Sequence, residues 1–317
     1  MIGTNNTKAL SVSVALLLAA SGTTTGFQLK PATQQHQSPG LIVANQNSMG
    51  MVNPSKPWSA SQIHERSSQT ILSAASTASE GEDRVLDVEA IAKYAGAVVL
   101  QMSLITGLFT GIDSLVGATG IQIPFAVNFF FFYVFALKSR IFNPLSNQRP
   151  QKDTKEIESA EQRKMPEWTP PGVVFPIMWI LIIGPLRAAS SALLVGGAAS
   201  YASPAILALM LHLSIGDTWN TINNVERRYG TSVVGVACVW ISAAFAASQY
   251  FQVDPLAGKL LSLPLLWLTI ASSLIFRTWQ INPSAATGEK ESFLPTKPAA
   301  QDGSITKLVW FEGSNDE

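Results

Sequence analysis

Six apolar segments dominate the chain between residues 91 and 279. Each is near the roughly 20 residues that a helix needs to cross a bilayer. They run from about Ile91 to Val116, Ile121 to Leu137, Pro170 to Gly196, Ser203 to Ile222, Thr231 to Tyr250 and Pro255 to Trp279. Lipid offers no water to an unpaired N–H or C=O, so a spanning segment must close its hydrogen bonds within itself or within a closed barrel. Barrel strands alternate apolar and polar residues over about ten positions, and these segments do not alternate. The expected fold class is all-α: a polytopic transmembrane helical bundle of six spans within residues 80–283. Only 13% of the 317 residues are charged, against about 25% in soluble chains.

The charges that remain are distributed unevenly. With six spans, one side receives Lys93, the basic loop from Lys138 to Lys164, Arg227, Arg228 and Arg277. The opposite side receives the short loops near 117–122, 197–202 and 251–258, with Lys259 alone beside it. Lys/Arg asymmetry of this kind marks the cytoplasmic or stromal side, so both termini are expected there. The formal net charge is zero and no basic stripe carries interleaved aromatics, so a nucleic-acid partner is excluded. The single cysteine, Cys238, rules out an intrachain disulfide and any CxxC metal site; it reads as a small buried packing residue.

The front of the chain reads as an address. Lys8, an apolar stretch from Ala9 to Ala20 and small residues up to Gly26 form the three-part pattern of a signal peptide over 1–26. Residues 27–79 are rich in Ser, Thr, Gln, Asn and Pro and hold no Asp or Glu before Glu65, the composition of a disordered transit-like leader. A signal peptide followed by such a segment, with Phe27 after the small residues, resembles the bipartite plastid leader of algae with complex plastids. The polar stretch 284–317 is expected to be a disordered tail.

The third apolar segment opens on EWTPPGVVFPIMW. Proline suits the first turn of a helix, where its missing N–H costs nothing. Trp168, Pro170, Pro171, Phe175 and Trp179 form W-x-P-P-x-x-x-F-x-x-x-W; Trp219 follows in the fourth segment, and Trp267, Ala271, Leu274, Trp279 and Asn282 mark the last. This set resembles the TspO/MBR family, the tryptophan-rich sensory proteins and translocator proteins. The resemblance covers about 121–283 and implies a five-helix core, to which the segment from Ile91 to Val116 is an added N-terminal helix. Departures are clear. Ile182 and Ile183 stand where the family has Leu-Tyr, Pro185-Leu186-Arg187 replaces a small turn, and Gly216 replaces an asparagine.

The resemblance implies a pocket between helices that binds a hydrophobic ligand, a tetrapyrrole such as haem or another porphyrin, or a sterol-like lipid. It implies transport or sensing and a homodimer, with membrane lipid as the other partner and no required cofactor or metal. Gly107 and Gly111 have the small-xxx-small spacing of helix pairs. Light-dependent porphyrin breakdown, reported for some members, and a structural or assembly role in a plastid membrane complex are the alternatives. No triad, P-loop or dinucleotide motif points to an enzyme. Expected ligand contacts are Trp168, Pro170, Pro171, Phe175, Trp179, Trp219, Trp267 and Trp279. Indole offers a flat polarisable face and one donor, although tryptophan also gathers at membrane interfaces.

Four intramembrane polar residues complete the site. At about 1.5 Å of rise per residue, Arg187 and His212 both lie roughly 13 Å from the far side. They are therefore expected to face each other or share a partner. A buried arginine costs several kcal/mol unless paired, and Asp113 matches its depth; Asp217, about 8 Å from the near side, fits less well. Arg187 thus has two readings, an interhelical ion pair or an anchor for a ligand acid. His212 likewise reads as a haem-iron ligand or a helix-to-helix hydrogen-bond partner.

Overall fold

The structure, a computed structural model, describes residues 83–149, 163–197, 199–284 and 288–311. The signal-peptide and transit-like readings of 1–26 and 27–79 lie outside the described residues. Six helices form the bundle: α1 (Val88–Thr119), α2 (Phe125–Lys138), α3 (Val174–Gly196), α4 (Pro204–Asn220), α5 (Tyr229–Val253) and α6 (Pro255–Ile281). All but α4 are long and apolar enough to cross a membrane, α2 together with the 3-10 turn Ser139–Phe142 that continues it. With 17 residues, α4 is continued by a π turn at Thr221–Val225. It runs through the centre of the bundle, its apolar residues buried against its neighbours.

Local chemistry sets the helix ends. Asp87 accepts the Ala90 N–H at 2.9 Å and starts α1; Gly120, at φ 63°, ends it in the left-handed conformation. Pro124 delays α2 to Phe125, four residues after the expected start. The Pro-Pro pair stands before α3 rather than inside it: Val174 N–H bonds the Pro171 carbonyl at 2.9 Å and the helix begins there.

The middle of α3, Ile177–Ile183, is wound as a π-helix. Gly184 N–H reaches back five residues to the Trp179 carbonyl. The next donor in that pattern would be residue 185, a proline, which has none. The Tyr133 hydroxyl of α2 supplies the missing hydrogen bond to the Ile180 carbonyl at 3.0 Å, as a neighbouring helix must where lipid offers no water. Gly184 makes the room: a Cβ there would stand 3.0 Å from the Tyr133 ring.

The added helix is structural. Its buried residues Ala97, Gln101, Ile105 and Phe109 recur every four positions, the single apolar face of a helix. Phe109 meets Phe131, Phe132, Phe135 and Tyr201 at ring separations of 5.1–6.4 Å. The expected Asp113–Arg187 pair is not formed. Asp113 instead accepts the Tyr201 and Ala202 N–H groups at 2.7 and 2.8 Å, satisfying donors at the turn before α4. Gly107 and Gly111 face outward, with nothing within 4 Å of a would-be Cβ. Cys238, expected to be buried, is exposed on α5, on the outward side of a span whose inward positions are Val236 and Val239.

The tail departs most from expectation. Instead of being disordered, residues 288–311 are built into the fold. A two-stranded antiparallel ribbon pairs β1 (Arg84–Leu86) with β2 (Thr296–Pro298), so both ends of the described domain meet on one face. Beyond it Leu308 bridges Leu145, and Lys93 Nζ donates to the Thr306 carbonyl at 2.7 Å. Behind the ribbon Arg228 pairs with Asp87 at 2.6 Å and with Glu226 at 3.2 Å. Ser304 also donates to Asp87. Glu291 accepts the Gly230 N–H at the start of α5. Composition suggested disorder because the segment is polar. Its order comes from partners distant in sequence.

Candidate functional site

A cavity of about 510 Å³ opens between α2, α3, α4, α5 and α6. Phe175 and Trp179 from α3, Trp219 from α4 and Trp267 from α6 line it, together with Arg187, His212 and Asp217. Seven residues singled out from the sequence are thus brought to one cavity. Trp168, Pro170, Pro171, Trp279 and Asp113 are not among its lining residues. Trp168 is half exposed. Trp279 donates to the Glu291 carbonyl at 2.8 Å and packs on Phe293 at 4.7 Å, which makes it an anchor for the tail. Trp240 lies on the outer face and donates to Thr269 of α6.

The aromatic wall is braced from behind. Phe175 and Trp267 meet edge to face at 5.8 Å. The Trp219 indole donates to the Ser232 carbonyl at 3.1 Å and approaches Gly235 through Cδ1, which would stand 2.8 Å from a Cβ there. Trp267 is buried and its indole N–H has no partner among the described residues. A buried donor left unmade costs about 1–3 kcal/mol, so this one is available to an occupant.

Deep in the cavity Arg187 Nη2 lies 2.6 Å from His212 Nε2, as helical rise predicts. An arginine can only donate, so Nε2 accepts and the ring proton sits on Nδ1, 3.1 Å from the Val239 carbonyl and 3.1 Å from Ser242 Oγ. Both ring nitrogens are engaged, and neither is available as a metal ligand. Arg187 also sits over the Trp179 ring at 5.4 Å. Asp217 belongs to another network: its Oδ2 accepts from Gln101 and Ser139 at 2.8 Å each. Gln101 Oε1 in turn accepts from Asn143 at 2.7 Å.

The mouth was not foreseen. From the basic loop that follows α2, Arg149 and Arg163 line the cavity beside Asn220, Asn223 and Asn224. Arg163 donates to Asn223 Oδ1 at 3.2 Å and lies over the Tyr229 ring at 5.3 Å. Burial pulls its guanidinium below the ordinary value, the mark of a cation held away from water. Asn282 fixes the loop, accepting from Lys164 N–H at 2.8 Å and donating to its carbonyl at 2.9 Å. The signal in the sequence was the asparagine cluster after Trp219, where the family resemblance implies apolar or aromatic residues.

The sequence profile of the TspO/MBR family matches residues 131–280, from the middle of α2 to the end of α6. The helical domain belongs to the TspO/MBR family. Among its curated relatives, Protein CrtK of Rhodobacter capsulatus is 28% identical over 130 residues, covering 40% of this chain and 78% of the relative. The tryptophan-rich sensory protein of Cereibacter sphaeroides is 29% identical over 119 residues, covering 37% of this chain and 72% of the relative. This TspO/MBR domain is an integral membrane protein, and α1 and the ordered tail fall outside the matched region.

Proposed function

We propose that this chain binds a tetrapyrrole in the cavity between α2, α3, α4, α5 and α6, for transport or sensing in a plastid membrane. The observation that carries the reading is the aromatic wall of Phe175, Trp179, Trp219 and Trp267, with the unpartnered Trp267 indole, around about 510 Å³. Ligand sites span about 300–1,000 Å³ and combine apolar walls with a few placed polar groups. Flat indole faces suit a macrocycle, and Arg149 and Arg163 at the mouth suit a carboxylate. Asp217 also lines the cavity, and its Oδ2 is engaged by Gln101 and Ser139.

Protoporphyrin titrated into the purified full chain tests this. Binding is expected to quench tryptophan fluorescence, and Trp267→Phe, which removes the indole donor, is expected to weaken it about tenfold. Unchanged affinity in Trp267→Phe would remove the indole from the site. No binding, with co-purifying membrane proteins, would favour an assembly role, and light-dependent loss of the macrocycle would favour breakdown.

The plastid assignment rests on residues 1–79, and the orientation on the one-sided Lys and Arg. A fluorescent fusion of the full chain is expected to enter the plastid and a chain lacking 1–26 to stay outside. Secretion of the full-length fusion would sink the assignment.

A further inference from the structure

We propose that Arg187 is an anion-recognition point at the floor of the cavity, so that the ligand of this chain is acidic at both ends. The inference rests on the tetrapyrrole reading above and narrows it. Arg187 is only 7% exposed and lines the cavity. Among the described residues the ion pairs are Lys93–Glu89, Arg228–Asp87 and Arg228–Glu226, so no described carboxylate stands within pairing distance of this guanidinium. Its hydrogen-bond partner His212 is 3% exposed and accepts through Nε2, so it is neutral and brings no countercharge. The Trp179 face contributes only its quadrupole. Asp217 lines the same cavity and its charge reaches Arg187 from beyond pairing distance, but its carboxylate is hydrogen-bonded to Gln101 and Ser139. Asp113, the partner that depth suggested, is committed to the α4 turn.

An arginine inside a membrane bundle without a carboxylate partner is costly. Its position is fixed all the same. The Arg187 carbonyl accepts from Ser190 and Ser191 at 2.9 Å each, and Ser191 is bonded to Tyr250 of α5 at 2.8 Å. The floor is therefore held in place with a cation facing an open cavity, and a carboxylate is the group that fork geometry suits. The mouth repeats this chemistry with Arg149 and Arg163. Helix α4 and the π turn that continues it give the separation: Arg187 is bonded to His212 and Arg163 to Asn223, eleven residues on, or roughly 16 Å at helical rise. A ligand with carboxylates along one edge meets one of these points. A ligand with carboxylates on opposite edges meets both.

The test compares protoporphyrin, with two carboxylates on one edge, and coproporphyrin, with four distributed around the ring. Each is titrated into the full chain in uncharged lipid nanodiscs. Wild type is expected to bind coproporphyrin at least about tenfold more tightly. Arg187→Leu is expected to erase that preference and leave protoporphyrin within about twofold, and Arg187→Lys to keep most of it. Equal affinities in wild type, or an Arg187→Leu loss that is the same for both porphyrins, would overturn the inference while leaving the ligand reading intact. Failure of both porphyrins to bind wild type would overturn the two together.

Discussion

Asp87→Ala is expected to destabilise the protein by about 3–5 kcal/mol, the cost of breaking a buried ion pair from one side. Asp87 is fully buried, and its partner Arg228 is 4% exposed. The same carboxylate starts α1 through Ala90 and holds the tail through Ser304. Its removal leaves Arg228 with Glu226 alone, and Glu226 is also held by the Tyr94 hydroxyl. Hydrogen exchange should therefore rise together at residues 84–94 and 296–306, with a lower melting midpoint. Asp87→Asn keeps the shape and an acceptor and should lose less. Unchanged exchange at 296–306 in Asp87→Ala would show that the tail is held by something else.

The cluster also gives the tail a pH dependence of definite sign. Burial alone would raise the Asp87 pKa, but hydrogen bonds from Arg228, Ala90 and Ser304 outweigh it and hold it below its ordinary 3.8. Its stabilisation is present above that value and lost as pH falls through the lower folded one. Burial pushes Glu226 and Glu291 above 4.5, so their charged forms cost stability at neutral pH, and the cost is relieved as pH falls through their folded values. Tail protection should rise from neutral pH towards 4.5 and fall below 3.8. Asp87→Ala should lack the fall.

Gly235→Val is expected to damage the cavity from outside it. The glycine carries the Trp219 ring, and a Cβ there would stand 2.8 Å from Cδ1. The neighbouring atoms cannot give way freely, because the indole is bonded to Ser232 of the same helix. Either the ring moves into the cavity or α4 and α5 part. Overpacking of this kind costs about 1–3 kcal/mol, and protoporphyrin affinity should fall at least about tenfold. The double variant Gly235→Val with Trp219→Ala relieves the clash without restoring the aromatic wall. It should recover stability and stay weak in binding. Recovery of both would mean that Trp219 contributes nothing to the site.

Fold class was legible because the membrane leaves few options. Long apolar segments must become helices, and proline, glycine and Asp87 mark where they start and stop. The tryptophans Trp179, Trp219 and Trp267 were legible as a set because together they match the TspO/MBR pattern, and the resemblance implies a shared pocket. The depth match of Arg187 and His212 was legible too, since helical rise is nearly constant. Rise says nothing of rotation about the axis, however. Asp113 lies at a suitable depth on α1, but faces the α4 turn and not Arg187. The tail misled for a related reason: its order depends on Asp87, Gly230 and Leu145, each far away in the chain, and composition cannot register a partner.

By itself the sequence therefore determined a membrane helix bundle of TspO/MBR type, its six segments and most of the aromatic wall. The helical segments follow from local rules, backbone satisfaction in lipid and helix ends; the family type and the aromatic wall follow from the resemblance of the tryptophan pattern. Only the tertiary structure decided which charges are paired, which way the indoles turn, and that the tail and the loop at 163–168 belong to the domain. Those outcomes depend on how helices rotate and cross, which is a property of the packed bundle and of no single segment.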